Sequence, residues 1–244
     1  MRYKVIISYD GTNYLGFQSQ PHKKTIQDEI EKAIQRLLNF DTRIIMASRT
    51  DAGVHAKCQV FHFDIDRDLD EFKLKGGFNA LLPKDIHVNK IEKVDESFHA
   101  RFSVSSKTYE YLINYHEFSP FLINRAYQCK YQLDIEKMRE CSKLFLGKHD
   151  FSSFNTTTYE EKKDQTRTIY ELIISEEDNI LKIRIKGDGF LRNMVRIIVG
   201  SLIEVARGKK DINDIRNMLD NPAKSTRRYN IAACGLYLSE INYN

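Results

Sequence analysis

Along the first third of the chain, apolar positions change period twice. Tyr3, Val5, Ile7 and Tyr9 alternate with polar neighbours and predict a strand with one face turned to a core. A polar loop runs on through Lys24. Thr25, with Asp28 three residues later, predicts a capped helix start. Ile26, Ile30, Ala33, Ile34, Leu37 and Leu38 then fall at helical spacing, so this helix packs one face on a sheet. The apolar run Ile44-Ile45-Met46-Ala47 and the alternating run Gln59-Val60-Phe61-His62-Phe63 bracket a polar segment, which reads as strand, turn and strand. Residues 69–82 read as a helix weakened by Gly76 and Gly77, and Ile86 to Val94 as a strand.

A seam lies at Ser103-Val104-Ser105-Ser106. Beyond it, Lys107 to Tyr115 predicts a strand with Tyr109, Tyr111, Ile113 and Tyr115 on one face. Asp134 to Phe145 is helical, with Gly147 as its C-terminal cap, and residues 155–165 form a polar loop. Thr168 to Ser175 and Ile180 to Lys186 form a hairpin around Glu176-Glu177-Asp178-Asn179. The longest helix is expected from Phe190 to Arg207. Phe190, Leu191, Met194, Val195, Ile198, Val199 and Leu202 make its buried stripe, and Arg192 and Arg196 lie one turn apart beside it. A helix over Ile212 to Leu219 and a strand over Gly235 to Ile241 close the chain. Strands and helices mix in both halves without βαβ regularity. The expected fold class is therefore α+β, with two mixed α/β-sheet domains side by side at 1–104 and 105–244.

Composition narrows this picture. Over 244 residues, 41% hydrophobic and 30% charged, there is enough apolar material for a core, and neither value suggests disorder. No apolar stretch approaches a membrane span. Met1-Arg2-Tyr3-Lys4-Val5 enters a strand at once without a signal-peptide core, so a cytoplasmic location is expected. Cys58, Cys129, Cys141 and Cys234 are scattered and form no Cys-x-x-Cys, as suits reduced structural thiols. Net charge is only +4, but it is uneven. Lys182 to Arg228 holds twelve Lys/Arg and five Asp/Glu, whereas residues 1–106 hold sixteen and fifteen. A basic region on a near-neutral body suits a polyanion, and it equally suits solvated charges on helix faces.

The segment Ala47-Ser48-Arg49-Thr50-Asp51-Ala52-Gly53-Val54-His55-Ala56-Lys57-Cys58 carries the candidate chemistry. A carboxylate in such a turn can be presented to a ligand while a neighbouring arginine keeps it ionised, as covalent catalysis by Asp would need. Asp-Ala-Gly is also ordinary turn chemistry. Further blocks stand at Tyr9-Asp10-Gly11-Thr12-Asn13-Tyr14-Leu15-Gly16-Phe17-Gln18-Ser19-Gln20, Asn79–Ile86, Phe98–Ser103, Lys107–Tyr111, Phe190–Gly200 and Gly235–Leu238.

Arg49–Ala56 resembles the active-site signature of the TruA family of tRNA pseudouridine synthases, and the other blocks fall in that family's order over almost the whole chain. Phe17 and Ser19 depart from its usual Trp and Arg. The resemblance implies two mixed domains with a basic RNA-binding cleft between them and Asp51 on its floor. It implies isomerisation of uridine to pseudouridine in the tRNA anticodon arm, at positions conventionally numbered 38, 39 and 40, by a homodimer without a cofactor. Asp51 matches the family's nucleophile, attacking C6 or C1′. Tyr109 matches a tyrosine that stacks on the target base, although a tyrosine in a strand also suits a plain sheet face. Arg196 matches a basic residue set against the catalytic carboxylate, or else is a solvated edge arginine. Arg49 either grips phosphate and helps open the stem or forms a surface ion pair.

Other classes stay in view. A TruA-like synthase with a different RNA target fits the departures at Phe17 and Ser19. A non-catalytic RNA-binding α+β protein fits the strand tyrosines, although no Lys-Gly-Phe-Gly-Phe string of the common RNA-binding type occurs. A metal-assisted hydrolase would use Asp51, His55 and His62. The spacing of His55, Cys58 and His62 matches no zinc pattern, so no metal is expected. His99 reads as structural.

Overall fold

A computed structural model describes residues 1–244. The chain divides into two compact units, Met1–Ser105 with Tyr237–Asn244, and Ser106–Leu236.

In the first unit the strands are β1 (Arg2–Tyr9), β2 (Ile45–Met46), β3 (His55–Asp64) and β4 (Ile86–Val94), with helices α1 (Ile26–Leu38) and α2 (Glu71–Leu81). The closing strand β10 (Leu236–Tyr243) joins them, giving the order β4-β1-β3-β10 with β2 on β3. β1 is antiparallel to both neighbours and buries Tyr3, Val5, Ile7 and Tyr9, as their alternation predicts. Each such burial contributes about 1.5–3 kcal/mol. Thr25 Oγ1 accepts the Asp28 N–H at the start of α1, and Ile26, Ile30, Ala33 and Ile34 face the core. Asp70 caps α2 by accepting the Lys73 N–H at 2.8 Å. Gly77 lets α2 approach α1: a Cβ there would lie 2.6 Å from a Leu37 methyl.

The second unit holds β5 (Val104–Asn114), β6 (Tyr127–Gln128), β7 (Gly147–Asp150), β8 (Thr166–Glu177) and β9 (Ile180–Gly187). Their order is β5-β9-β8-β7, with β6 parallel to β5. The expected hairpin is β8–β9. It turns through Asp178 and Asn179 at φ 50 and 62, the left-handed pair that a two-residue hairpin loop needs. Helices α3 (Ile135–Ser142), α4 (Met194–Ala206) and α5 (Ile212–Asp220) complete the unit. α4 is buried on nearly every side, and a Cβ on Gly200 would meet Tyr229 O at 1.8 Å.

The fold class is the expected one, mixed sheets with helices. Three elements differ from expectation. α4 begins at Met194, not Phe190, because Asn193 takes φ 60, ψ 5, which no α-helix accommodates. Arg192 is therefore off the helix, and Arg192 and Arg196 do not form one helical turn. Gly147, at φ 92, opens the four-residue strand β7 after a short 3₁₀ turn at Lys143–Phe145. β10, placed by chain order with the second half, runs parallel to β3 through Tyr237–His55 and Leu238–Ala56 and packs with the first unit.

Candidate active site

The turn that carries Asp51 is held from three sides. Ala47 N–H donates to Val60 O at 2.8 Å, and fully buried Gln59 donates its amide to Ser48 O at 2.7 Å, so the segment before Asp51 is pinned to β3. Thr50 is buried, with its hydroxyl 2.8 Å from Tyr9 Oη, and its carbonyl accepts the Phe17 N–H at 3.2 Å. Val54 N–H closes the turn onto Asp51 O at 3.2 Å, with Gly53 at φ 74 supplying the left-handed residue.

Residues 9–17 wrap this turn. Gly53 N–H donates to Tyr14 O at 3.2 Å. A Cβ on Gly11 would lie 2.0 Å from Val54 O, and one on Gly16, already at φ 96, would lie 2.8 Å from Thr50 O. Both glycines are there because backbone meets backbone. Tyr14 donates to Asp85 at 2.6 Å, and burial with that carboxylate raises the phenol's pKa. The two motif blocks thus form one scaffold, and its product is a half-buried Asp51 carboxylate on a braced turn. Arg49 is exposed, and its guanidinium makes no hydrogen bond or ion pair within the protein, so the surface ion pair is not formed.

The histidines nearby are structural. His55 is 2% exposed, with Nδ1 3.1 Å from both the Gly11 N–H and Asp10 Oδ1, and its ring stacks on Tyr237 at 4.6 Å. His62 accepts the Ala100 N–H at 3.1 Å and lies seven residues on along β3, opposite Lys4 of β1 and Ile45 of β2. Burial, then Arg2 and His99, hold its pKa down at about 4. No three His, Cys, Asp or Glu side chains gather in a metal-binding group, so Asp51, His55 and His62 do not make the hydrolase site considered above. His99 accepts N–H bonds from Arg101 and Phe102 and stacks on Phe102 at 4.3 Å. All four cysteines are free thiols, and burial pushes Cys141 up to about 12.

In the second unit, Tyr109 lies on β5 opposite Ile185, 6% exposed, with its ring edge-on to Phe190 at 5.2 Å and 84°. Tyr111, two residues on, is fully buried and donates to Ala232 O at 2.6 Å, an ordinary core tyrosine. Arg196 sits in the first turn of α4. Its Nη1 donates to Asn193 Oδ1 at 2.9 Å and its Nε to Ile231 O at 2.7 Å, so the guanidinium is fixed rather than solvated. Asn193 in turn donates to Thr156 Oγ1 at 2.8 Å. Arg192 is exposed and pairs with Glu161.

The basic count over 182–228 overstates the local field. Lys182 pairs with Glu177, Arg184 with Glu171, Arg192 with Glu161, and Arg207 with Glu204. Asn193 and Thr156, which hold the Arg196 guanidinium in place, are neighbours that the sequence does not reveal. Their only signal is a polar residue inside an apolar run and a polar loop.

A mixed-sheet protein with a braced aspartate turn and a fixed arginine at a helix start is the class these observations define. Over residues 5–103 and 141–244 the chain matches the family described as tRNA pseudouridine synthase, and it belongs to that family. Its relatives include tRNA pseudouridine synthase A of Bacillus licheniformis, 45% identical over 248 residues with all of both chains covered. Another is tRNA pseudouridine synthase A 1 of Bacillus cereus, 42% identical over 248 residues with 100% of this chain and 99% of the relative covered. A third, tRNA pseudouridine synthase A of Acetivibrio thermocellus, is 42% identical over 241 residues, with 98% of each covered. No helix is long and apolar enough to cross a membrane.

Proposed function

We propose that this chain isomerises uridine to pseudouridine in the tRNA anticodon arm, at positions 38, 39 and 40, with Asp51 as the nucleophile. The reaction breaks the N1–C1′ bond, turns the base and forms a C5–C1′ bond. No atom is gained or lost, so neither redox nor acyl chemistry enters. Asp51 adds to C6 or C1′ and holds the fragment while the base turns. Tyr109 stacks on the base, worth roughly 1–3 kcal/mol for such a contact. Arg196 is the basic residue that supports the charged form of Asp51 in the reaction. Arg49 binds phosphate and helps free the target from its stem, because a paired uridine must leave the stack to be reached. The helical arm is read by shape and phosphate, since A-form grooves hide base identity. A cytoplasmic homodimer is the form we expect to act.

The observation that carries this reading is the close approach of Gly11 and Gly16 to the 50–54 turn. A stretch of backbone is given over to holding one aspartate, and a plain surface turn needs no such brace. The test is to incubate purified protein with unmodified tRNA transcripts, derivatise pseudouridine with a carbodiimide and map reverse-transcription stops. Stops in the anticodon arm are expected. Stops confined to another RNA would reassign the substrate, and no stops on any RNA would leave a binding protein.

A further inference from the structure

Lys224 was counted above as one of the cations of the basic region. Its side chain is turned inward instead. The ammonium donates to Asn155 Oδ1 at 3.0 Å, to Thr157 O at 2.6 Å and to Gln165 Oε1. An ammonium has three N–H donors, and here each has an acceptor within the protein. None of the acceptors is a carboxylate. Asn155 is 0% and Gln165 1% exposed, so removing the ammonium would take a donor from each of three acceptors in a dry place and leave each with the one bond it makes inside the segment: Asn155 Oδ1 with the Thr157 N–H, Gln165 Oε1 with the Asn155 amide and Thr157 O with the Gln165 amide.

What these acceptors hold is the 155–165 segment, and that segment holds the start of α4. Asn155 also donates to Phe151 O at 2.6 Å and accepts the Thr157 N–H at 2.7 Å. Thr156 N–H donates to Arg192 O at 3.0 Å, and Thr157 Oγ1 accepts the Arg192 N–H at 3.1 Å. Thr156 Oγ1 accepts from the Asn193 amide at 2.8 Å, and Asn193 Oδ1 then accepts from Arg196 at 2.9 Å. Asn193 sits at φ 60, a conformation a free chain seldom keeps, and the two threonines supply the bonds that keep it.

We propose that Lys224 is a positioning residue for the isomerisation, setting the Arg196 guanidinium through Asn155, Thr156, Thr157 and Asn193. This rests on the role given to Arg196 above. Lys224 touches no reacting atom and spends its donors inside the protein, so it does not act as a phosphate contact. A guanidinium displaced by about 1 Å loses on the order of a hundredfold in rate, which sets the scale of the effect.

The test is a double-mutant cycle, read as kcat and tRNA Kd on unmodified transcript. Lys224→Met should lower kcat by roughly 10- to 100-fold and leave Kd within about threefold. On an Arg196→Ala background the same change should alter kcat by less than about twofold, because the two act as one unit. Thr156→Val should reproduce the kcat loss, and Thr156→Ser, which keeps the hydroxyl, should restore it. If Lys224→Met does not fold, as thermal melting will show, the Thr156 pair on both backgrounds carries the test. Two results overturn the proposal: a weakened Kd with kcat kept, or losses that multiply in the double variant. An Arg196→Ala variant at the parental rate would instead refute the role of Arg196, and its single-variant column separates that failure from this one.

Discussion

Gly11→Ala puts the bracing of the Asp51 turn to a quantitative test. The new methyl would lie 2.0 Å from Val54 O and 2.6 Å from Val54 C. Ordinary carbon–oxygen contact begins at about 3.4 Å, so one backbone must retreat by on the order of 1.4 Å. Gly11 cannot drift freely, because its N–H is bound to His55 and its carbonyl accepts the Tyr14 N–H at 3.0 Å. Val54 is bound to Asp51 O, so its retreat carries Asp51 with it. Overpacking of this kind costs about 1–3 kcal/mol, which lowers Tm by roughly 2–12 °C in a chain of this size. A displacement near 1 Å should also cost about a hundredfold in kcat. The assay is tritium release from tRNA carrying 5-tritiated uridine, since C5 gives up its proton when it joins C1′. Gly76→Ala is the control. Nothing lies within 4 Å of a Cβ there, in the interior of α2, so it should gain about 0.5–1 kcal/mol and keep its rate. A Gly11→Ala enzyme with parental Tm and kcat within twofold would refute the bracing.

Other outcomes follow from the same geometry. His62 is buried with its pKa held near 4, while the unfolded chain takes up that proton near 6.5, so its stabilising effect is whole above pH 6.5 and is lost as pH falls toward 4. Between pH 7 and pH 4.5 the loss is about 2 kcal/mol; urea unfolding at these two pH values should show it, and His62→Asn should flatten the difference. Arg49→Ala should weaken tRNA binding and reduce the slope of log K against log salt by about 1, and an unchanged slope would remove it from the phosphate contacts. Tyr109→Leu should lower kcat/KM by roughly tenfold, the worth of one lost stack, and a smaller loss would make Tyr109 a plain sheet residue.

Local signals made much of the fold legible. α1 was readable because its cap and its apolar spacing lie within one window, and the β8–β9 hairpin because Asp178 and Asn179 tolerate the left-handed turn. The start of α4 was not, because Phe190 and Leu191 continue the apolar pattern across Asn193. What ends the helix there is a bond from Asn193 to Thr156, 37 residues away. β10 misled for the same reason: its partner β3 lies far back in the chain. At the site, the string around Asp51 stood out, and so did the block Tyr9–Gln20 that contains Gly11 and Gly16. That those glycines are spaces for the Asp51 turn is a fact of three dimensions. Lys224 counted as surface charge because a sequence does not show which way a lysine points.

Replacing Asp51 with Asn keeps the side chain's size and removes its charge and nucleophilicity. Single-turnover tritium release from 5-tritiated-uridine tRNA, measured beside tRNA Kd, is the most direct reading. Release should fall to background while Kd stays within about threefold; release at the parental rate would contradict the account.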